Sequence, residues 1–260
     1  MSINTWIHGF GGRIGQLLLE MEAQYPEITI IGGSNSKGTA RWINGSMEPQ
    51  KETLADALKD AQLVIDFSTP EGNQTLFDAV RQTNTPLAIL LATTGLNTTQ
   101  IEGWQREVAP TCQVLLAPNT SLGIILSVAL SKKLAAALGG LSFDIEIVES
   151  HHRHKRDAPS GTALLIADEI AKQEDLKTVY GRPGLRQSNE LGLSSLRGGA
   201  VFGEHEIKFL GDHEEITISH KALSRRLFAD GAFCLGKWLM PKPPGFYHVA
   251  NIPPDDIKLK

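Results

Sequence analysis

Short apolar runs alternate with amphipathic stretches through the first half of the chain, and glycine-rich or polar turns separate them. Residues 5–8 read as a short strand running into Gly9-Phe-Gly-Gly-Arg-Ile-Gly15, after which Leu17, Leu18 and Met21 continue at helical spacing. Residues 28–31 repeat the strand pattern, residues 39–62 hold no repeat or low-complexity tract, and residues 53–61 suit a helix. Leu63-Val-Ile-Asp-Phe67 is apolar enough for a strand buried on both faces, and Ser-Thr-Pro-Glu-Gly then opens a helix through Val80. Further apolar runs at residues 86–91 and 114–117 end in Ala92-Thr-Thr-Gly95 and Pro118-Asn119. This alternation predicts an α/β fold with a Rossmann-type parallel sheet. Its turns gather at the carboxyl ends of the strands, where open α/β sheets bind ligands.

After an apolar helix over residues 122–138 and the pair Gly139-Gly140, the period changes. Residues 143–149, 206–210 and 215–219 alternate as half-buried strands do, which predicts a second, α+β domain with a mixed sheet. Ala163, Ile166, Ala167 and Ile170 mark a helix that packs on that sheet. Residues 175–189 read as a polar loop, residues 228–239 as a last helix, and residues 241–254 as a proline-rich tail. Edge strands with one apolar face favour self-association.

Composition narrows the class. At 260 residues and 41% hydrophobic, the chain supports a core without staples. Cys112 and Cys234 form no CxxC pair, so a reducing compartment is expected. The first residues lack a basic segment followed by a long apolar run, and residues 122–138 are interrupted by Lys132 and Lys133. Neither a secretion signal nor a membrane span is predicted, and a cytoplasmic protein is expected. A net charge of -4 argues against a nucleic-acid partner.

The candidate chemistry concentrates in Glu149-Ser-His-His-Arg-His-Lys-Arg-Asp-Ala-Pro-Ser-Gly-Thr162. Ser160 is placed to cap the helix that follows, leaving the amides of Gly161 and Thr162 unpaired for a carboxylate or phosphate. Lys155 and the histidines add charge and a proton donor that titrates near neutrality. A metal site is not expected, since only His152 and His154 could share an ion and three cations flank them. Gly9 to Gly15 suit a pyrophosphate turn, although the glycine spacing departs from the commonest dinucleotide fingerprint. At the end of the second strand, Ser34, Asn35, Ser36 and Lys37 stand where an acidic residue would hold a ribose 2′-hydroxyl, so a 2′-phosphate is accommodated. NADPH is therefore the expected cofactor, with NADH also used.

With these pieces placed, nearly the whole chain resembles the 4-hydroxy-tetrahydrodipicolinate reductase (dihydrodipicolinate reductase) family. The resemblance is carried by residues 149–163 and supported by Gly9 to Gly15, Asp66-Phe-Ser-Thr-Pro70, Thr93-Thr-Gly95, Ala117-Pro-Asn119, residues 197–205 and Ser219-His-Lys-Ala-Leu-Ser-Arg225. It implies reduction of 4-hydroxy-tetrahydrodipicolinate in diaminopimelate and lysine biosynthesis. It makes His151 and Lys155 the proton donors, and His152, Lys155, Ser160, Gly161 and Thr162 the ligands of a small dicarboxylate substrate. Gly9, Gly12, Arg13 and Ile14 become the pyrophosphate turn, while Phe67, Thr93, Thr94, Gly95, Ala117 and Asn119 lie along the rest of the cofactor. It implies a dinucleotide-binding domain of residues 1–121 together with 226–260, a substrate-binding and oligomerisation domain of residues 122–225, and a homotetramer. The chain departs from the family pattern at Ala92, at Gly198 and in a shortened segment after residue 38.

Two other classes are weighed. A semialdehyde-type dehydrogenase needs a thiolate beside a base, and Cys112 and Cys234 fall in apolar surroundings. A non-enzymatic nucleotide sensor has no need of the donor-rich loop at 149–162.

Overall fold

A computed structural model describes residues 2–257 apart from Gly140 and Pro183; Met1, residues 258–260 and the second glycine of the Gly139-Gly140 pair lie outside the described residues. The chain forms two compact units, Met1–Ser121 with Arg226–Lys260, and Leu122–Arg225. Among the described residues, no helix is long and apolar enough to cross a membrane.

The first unit is built on β1 (Ile3–His8), β2 (Ile28–Asn35), β3 (Gly38–Ile43), β4 (Ser46–Gln50), β5 (Leu63–Asp66), β6 (Ala88–Leu91), β7 (Gln113–Leu116) and β13 (Gly245–His248), strands being numbered along the whole chain. Their order is β13-β7-β6-β5-β1-β2-β3-β4, with every pair parallel except those made by β3 and β4. The central runs are apolar because both faces are covered: Val64, Ile65, Ile89, Leu90 and Leu115 are wholly buried. Helices α1 (Arg13–Met21), α2 (Leu54–Ala57), α3 (Pro70–Thr83), α4 (Thr98–Gly103) and α7 (Arg226–Leu239) complete the unit. Thr53, Thr69 and Asn97 cap α2, α3 and α4 with their side chains. Close approach explains one glycine of α7, since a Cβ at Gly231 would stand 1.7 Å from the Thr120 carbonyl oxygen.

Two parts of this unit differ from the sequence reading. Residues 38–50 form a hairpin at the sheet edge. Asn44 and Gly45 sit at positive φ, as a two-residue type I′ turn requires, and Ile43 pairs with Ser46 across it. The proline-rich tail contains β13, which docks parallel to β7 and ends the sheet on that side.

The second unit contains α5 (Leu122–Leu138), β8 (Asp144–His151), α6 (Gly161–Glu174), β9 (Lys177–Tyr180), β10 (Glu190–Arg197), β11 (Glu204–Leu210) and β12 (Glu215–Lys221). The sheet order is β12-β11-β8-β10-β9. Strand β8 runs parallel to β10 and antiparallel to β11, so the sheet is mixed. Residues 175–189, expected as a loop, hold β9, which pairs with β10. One face of the sheet buries Ile145, Ile147, Leu191, Leu193, Ile207 and Phe209, and α6 brings Ala163, Ile166, Ala167 and Ile170 to the core. Strand alternation continues the buried face of β8 from Ile145 and Ile147 to Glu149 and His151. Two ionisable groups thus lie in line with the core, at the end of the strand near the start of α6.

Candidate active site

In the first unit the turn between β1 and α1 is shaped by backbone proximity. Gly9 has φ +88°, and a Cβ there would lie 2.6 Å from the Phe67 carbonyl oxygen; one at Gly15 would lie 2.5 Å from the Gly9 carbonyl oxygen. The N-cap of α1 is Gly12, with no side-chain cap and no acidic residue in the first turn. The amides that open α1, followed by exposed Arg13 and half-buried Ile14, fit the pyrophosphate of a dinucleotide. Thr94 and Gly95 are exposed in the turn after β6, with Gly95 at φ +80°. Ala117 is buried and ladder-bonded to Leu91, while the Asn119 side chain accepts from the Ser121 amide.

Two expected cofactor ligands are turned inward. The Nε2 of His8 meets the Gly72 carbonyl oxygen at 2.9 Å, an atom that only accepts, so Nε2 donates and Nδ1 accepts the Ser34 hydroxyl hydrogen at 2.6 Å. Trp6 Nε1 donates to the same hydroxyl at 3.0 Å. Buried Ser34 therefore braces the strand end, and Ser36 and Lys37, in the exposed two-residue turn between β2 and β3, are what remains for a ribose phosphate. Thr93 likewise donates its hydroxyl to buried Asp66 at 2.9 Å. Asp66 also accepts from Asn73 Nδ2 at 2.8 Å and the Ser68 amide at 2.9 Å, so it ties the turn after β6 to the one after β5.

In the second unit two of the residues expected at the anion site, His151 and Ser160, meet at one buried carboxylate. Glu149 is 0% exposed. Arg197 forks onto it, donating from Nη1 to Oε2 at 2.9 Å and from Nη2 to Oε1 at 2.7 Å. His151 donates from Nδ1 to Oε2 at 2.5 Å, and the Ser160 amide donates to Oε1 at 3.1 Å. Burial alone would raise the Glu149 carboxyl, but the hydrogen bonds from Arg197 and His151 outweigh it and hold the group at about 2. Burial lowers the His151 imidazole below its ordinary range, helped by the charges of Lys155 and Arg197 and opposed by Glu149. The ring of His205 meets that of His151 edge-on, with centroids 5.3 Å apart, and burial pushes the His205 imidazole down to about 3.

Ser160 caps α6, accepting from the Ala163 amide at 3.2 Å. The Gly161 amide, expected to be open to an anion, lies near the carboxylate of Asp157 and helps hold it below the usual carboxylate range. Lys155 Nζ reaches the same carboxylate at 2.9 Å. Thr162 follows in the first turn and is engaged as well. His152 leaves the end of β8 with its ring beside that of His154, outside the Glu149 cluster. Glu149, Arg197, Asp157 and His205 had no role assigned from sequence. The signal for Glu149 was present, because Glu-x-His in a strand puts both side chains on one face.

A glycine turn feeding uncapped helix amides beneath a parallel sheet, in a chain that also holds an imidazole and a lysine at a capped helix start, defines a nicotinamide-dependent oxidoreductase. The family model described as "Dihydrodipicolinate reductase, N-terminus" matches residues 3–120, and the one described as "Dihydrodipicolinate reductase, C-terminus" matches residues 123–252. A 4-hydroxy-tetrahydrodipicolinate reductase of Rickettsia bellii is 38% identical over 252 residues, covering 96% of this chain and 94% of that one. Its counterpart in Halorhodospira halophila is 36% identical over 268 residues, covering 97% and 99%. The solved dipicolinate-bound dihydrodipicolinate reductase of Paenisporosarcina sp. TG-14 shares the fold, with a TM-score of 0.77 at 22% identity, covering 97% of this chain and 100% of that one. The chain belongs to the dihydrodipicolinate reductase family. Its reaction is the reduction of 4-hydroxy-tetrahydrodipicolinate to tetrahydrodipicolinate by a reduced nicotinamide nucleotide, in diaminopimelate and lysine biosynthesis.

Of the departures from the family pattern, Gly198 leaves the backbone free to carry an alanine, since nothing lies within 4 Å of a Cβ built there.

Proposed function

We propose that residues 1–121 with 226–260 bind the nucleotide, and that residues 122–225 bind the substrate and build a homotetramer. In this reading His152, Lys155, Ser160, Gly161 and Thr162 hold the carboxylates of the substrate, and His151 and Lys155 serve its protonation. The observation that carries it is the Lys155 ammonium 2.9 Å from the carboxylate of Asp157, whose charged form the nearby Gly161 amide also favours. A substrate carboxylate calls for the same two donors, and the dipicolinate named with the Paenisporosarcina enzyme is a dicarboxylate of that chemistry.

A reduced nicotinamide, when bound, supplies a hydride. Loss of the 4-hydroxyl as water leaves a conjugated cyclic imine, reduction at C4 sends an electron pair toward the ring nitrogen, and a proton on the neighbouring carbon completes the balance. Lys155 against a carboxylate stabilises that developing charge, which makes its attraction greater in the transition state than in the ground state. Lys155 and His151 are the two groups that can bring the proton, and the alkaline limb of the rate profile follows whichever does, because the rate falls as the donor loses its proton. In the first unit, Gly9, Gly12, Arg13 and Ile14 hold the pyrophosphate. Phe67, Thr94, Gly95, Ala117 and Asn119 lie along the nicotinamide half, and Asp66 and Thr93 brace those turns.

NADPH is preferred, with NADH still used, because the turn after β2 presents Ser36 and Lys37 with no carboxylate to repel a 2′-phosphate. The tetramer uses the sheet face that α5 and α6 leave open, where Leu196 of β10 is 57% exposed. A cytoplasmic location suits two free cysteines. The test is consumption of reduced nicotinamide when the protein is coupled to fresh product of dihydrodipicolinate synthase. Steady nicotinamide absorbance under those conditions would overturn the assignment.

A further inference from the structure

The Glu149 carboxylate does more than neutralise Arg197. We infer that Glu149 is a positioning residue of the reduction: it fixes the tautomer of His151, so that Nδ1 keeps its hydrogen and Nε2 is the nitrogen that gains and loses the proton at the site. This rests on the assignment of His151 to that site.

The geometry leaves one arrangement. Glu149 is wholly buried, and the groups around its carboxylate donate to it: Arg197 twice, the Ser160 amide and His151 Nδ1. An ionised carboxylate only accepts, so the 2.5 Å contact places a hydrogen on Nδ1 whatever the charge of the ring. A neutral His151 then has its lone pair on Nε2. The space at that nitrogen is kept clear by the backbone. Gly203 of the turn before β11 has φ +157°, and a Cβ there would stand 3.0 Å from Nε2 and crowd it. The ring cannot easily turn over to exchange the two nitrogens, because His205 of β11 braces its edge and the Glu149 bond would be lost.

The charged and titratable groups facing His151 come from each neighbouring element: Glu149 on its own strand, Arg197 opposite it on β10, Lys155 from the following turn, and His205 from β11. Arg197 and Lys155 disfavour a charged ring, and Glu149 favours it. Glu149 thus sets both which nitrogen titrates and how readily it does so. A buried carboxylate that orients an imidazole in this way is worth orders of magnitude in rate where the imidazole moves a proton.

The experiment uses the full-length protein labelled with ¹⁵N-histidine. In the wild type above the His151 titration, long-range ¹H–¹⁵N correlations should show Nδ1 protonated and Nε2 bare. Glu149→Gln should mix or invert that tautomer, move the ring's titration to lower pH, and lower kcat on the order of 10²-fold while KM changes less than about threefold. Arg197→Gln leaves the acceptor in place, so the tautomer should persist while the titration moves up. Glu149→Asp, if its shorter carboxylate still reaches Nδ1, should restore the tautomer and part of the rate.

A wild-type His151 protonated on Nε2 overturns the inference, and that measurement does not require any variant to fold. So does a Glu149→Gln enzyme with unchanged kcat, or equal tautomer disruption by Glu149→Gln and Arg197→Gln, which would mark a cluster that is structural only. The tautomer is read without turnover. An inactive wild type with the expected tautomer would sink the reductase reading while leaving the geometry of Glu149 intact.

Discussion

If Asp157 occupies the position of a substrate carboxylate, removing its charge should tighten dicarboxylate binding. Asp157→Asn is the cleanest perturbation, because it keeps the size and shape of the side chain and removes only the negative charge. The magnitude follows from exposure. The Asp157 side chain is 56% exposed and that of Lys155 23%, so their 2.9 Å ion pair is worth about 0.2–1 kcal/mol. A carboxylate at the start of a helix adds about 0.3–1 kcal/mol. Some of the second contribution survives in the amide, which leaves about 1 kcal/mol of competition relieved, or about fivefold in Kd. Calorimetric titration with pyridine-2,6-dicarboxylate should show that gain at low salt and a smaller one at high salt, where exposed charges are screened. Equal or weaker binding by Asp157→Asn would refute the reasoning, since Asp157 would then be orienting Lys155 for the ligand and not standing in its place.

Lys155→Ala should lower kcat on the order of 10²-fold or more in the coupled assay, and a rise in KM alone would move the proton to His151. Lys37→Ala should reduce the NADPH-to-NADH ratio of kcat/KM about fivefold at low salt, the value of one screened ion pair, and an unchanged ratio would show that the turn after β2 does not read the phosphate. Glu149 should make the protein acid-labile in a defined window. Its folded carboxyl at about 2, against an ordinary 4.5, contributes about 3 kcal/mol that is fully present above pH 4.5 and lost as pH falls toward 2. Urea midpoints from pH 7 to pH 3 should drop over that window in the wild type, and this component should be missing in Glu149→Gln.

Local pattern carried much of the fold because the elements that matter most are locally specified. The strand before Gly9, the apolar runs of β5 to β7 and the Ser160 cap of α6 each answer to neighbours within a few residues. The β3–β4 hairpin was just as local, its Asn44-Gly45 pair being a strong turn signal, yet the two short strands around it alternate too weakly to be read as strands. Strand β13 was illegible for another reason. Its four residues follow three prolines, and the open edge of β7 supplies the pairing that makes them a strand. Side-chain direction was the larger loss. Ser34 and Thr93 are residue types that offer hydroxyls, but His8 and Asp66, 26 and 27 positions away, turn those hydroxyls inward. Glu149 and His151 share a strand face that sequence alone can place, whereas the arginine that joins them lies 48 positions along the chain.

Glu149 and Asp157 differ in burial, and that difference decides which of their cations is free to exchange partners. Glu149 is wholly buried, and pulling the Arg197 guanidinium away would leave its charge unpaired at a cost of about 3–5 kcal/mol. No single substrate carboxylate offsets that, so Arg197 stays on Glu149 through the reaction. Lys155 pairs with a carboxylate that is more than half exposed, and water replaces it for about 1 kcal/mol or less. Exchange of partners is therefore open to Lys155 and closed to Arg197. The flexible stem of lysine suits a group that must let go of one anion and take another, while the rigid fork of arginine suits one that must not move. The burial of its carboxylate partner thus holds Arg197 in place, while the exposure of Asp157 leaves Lys155 able to exchange one anion for another.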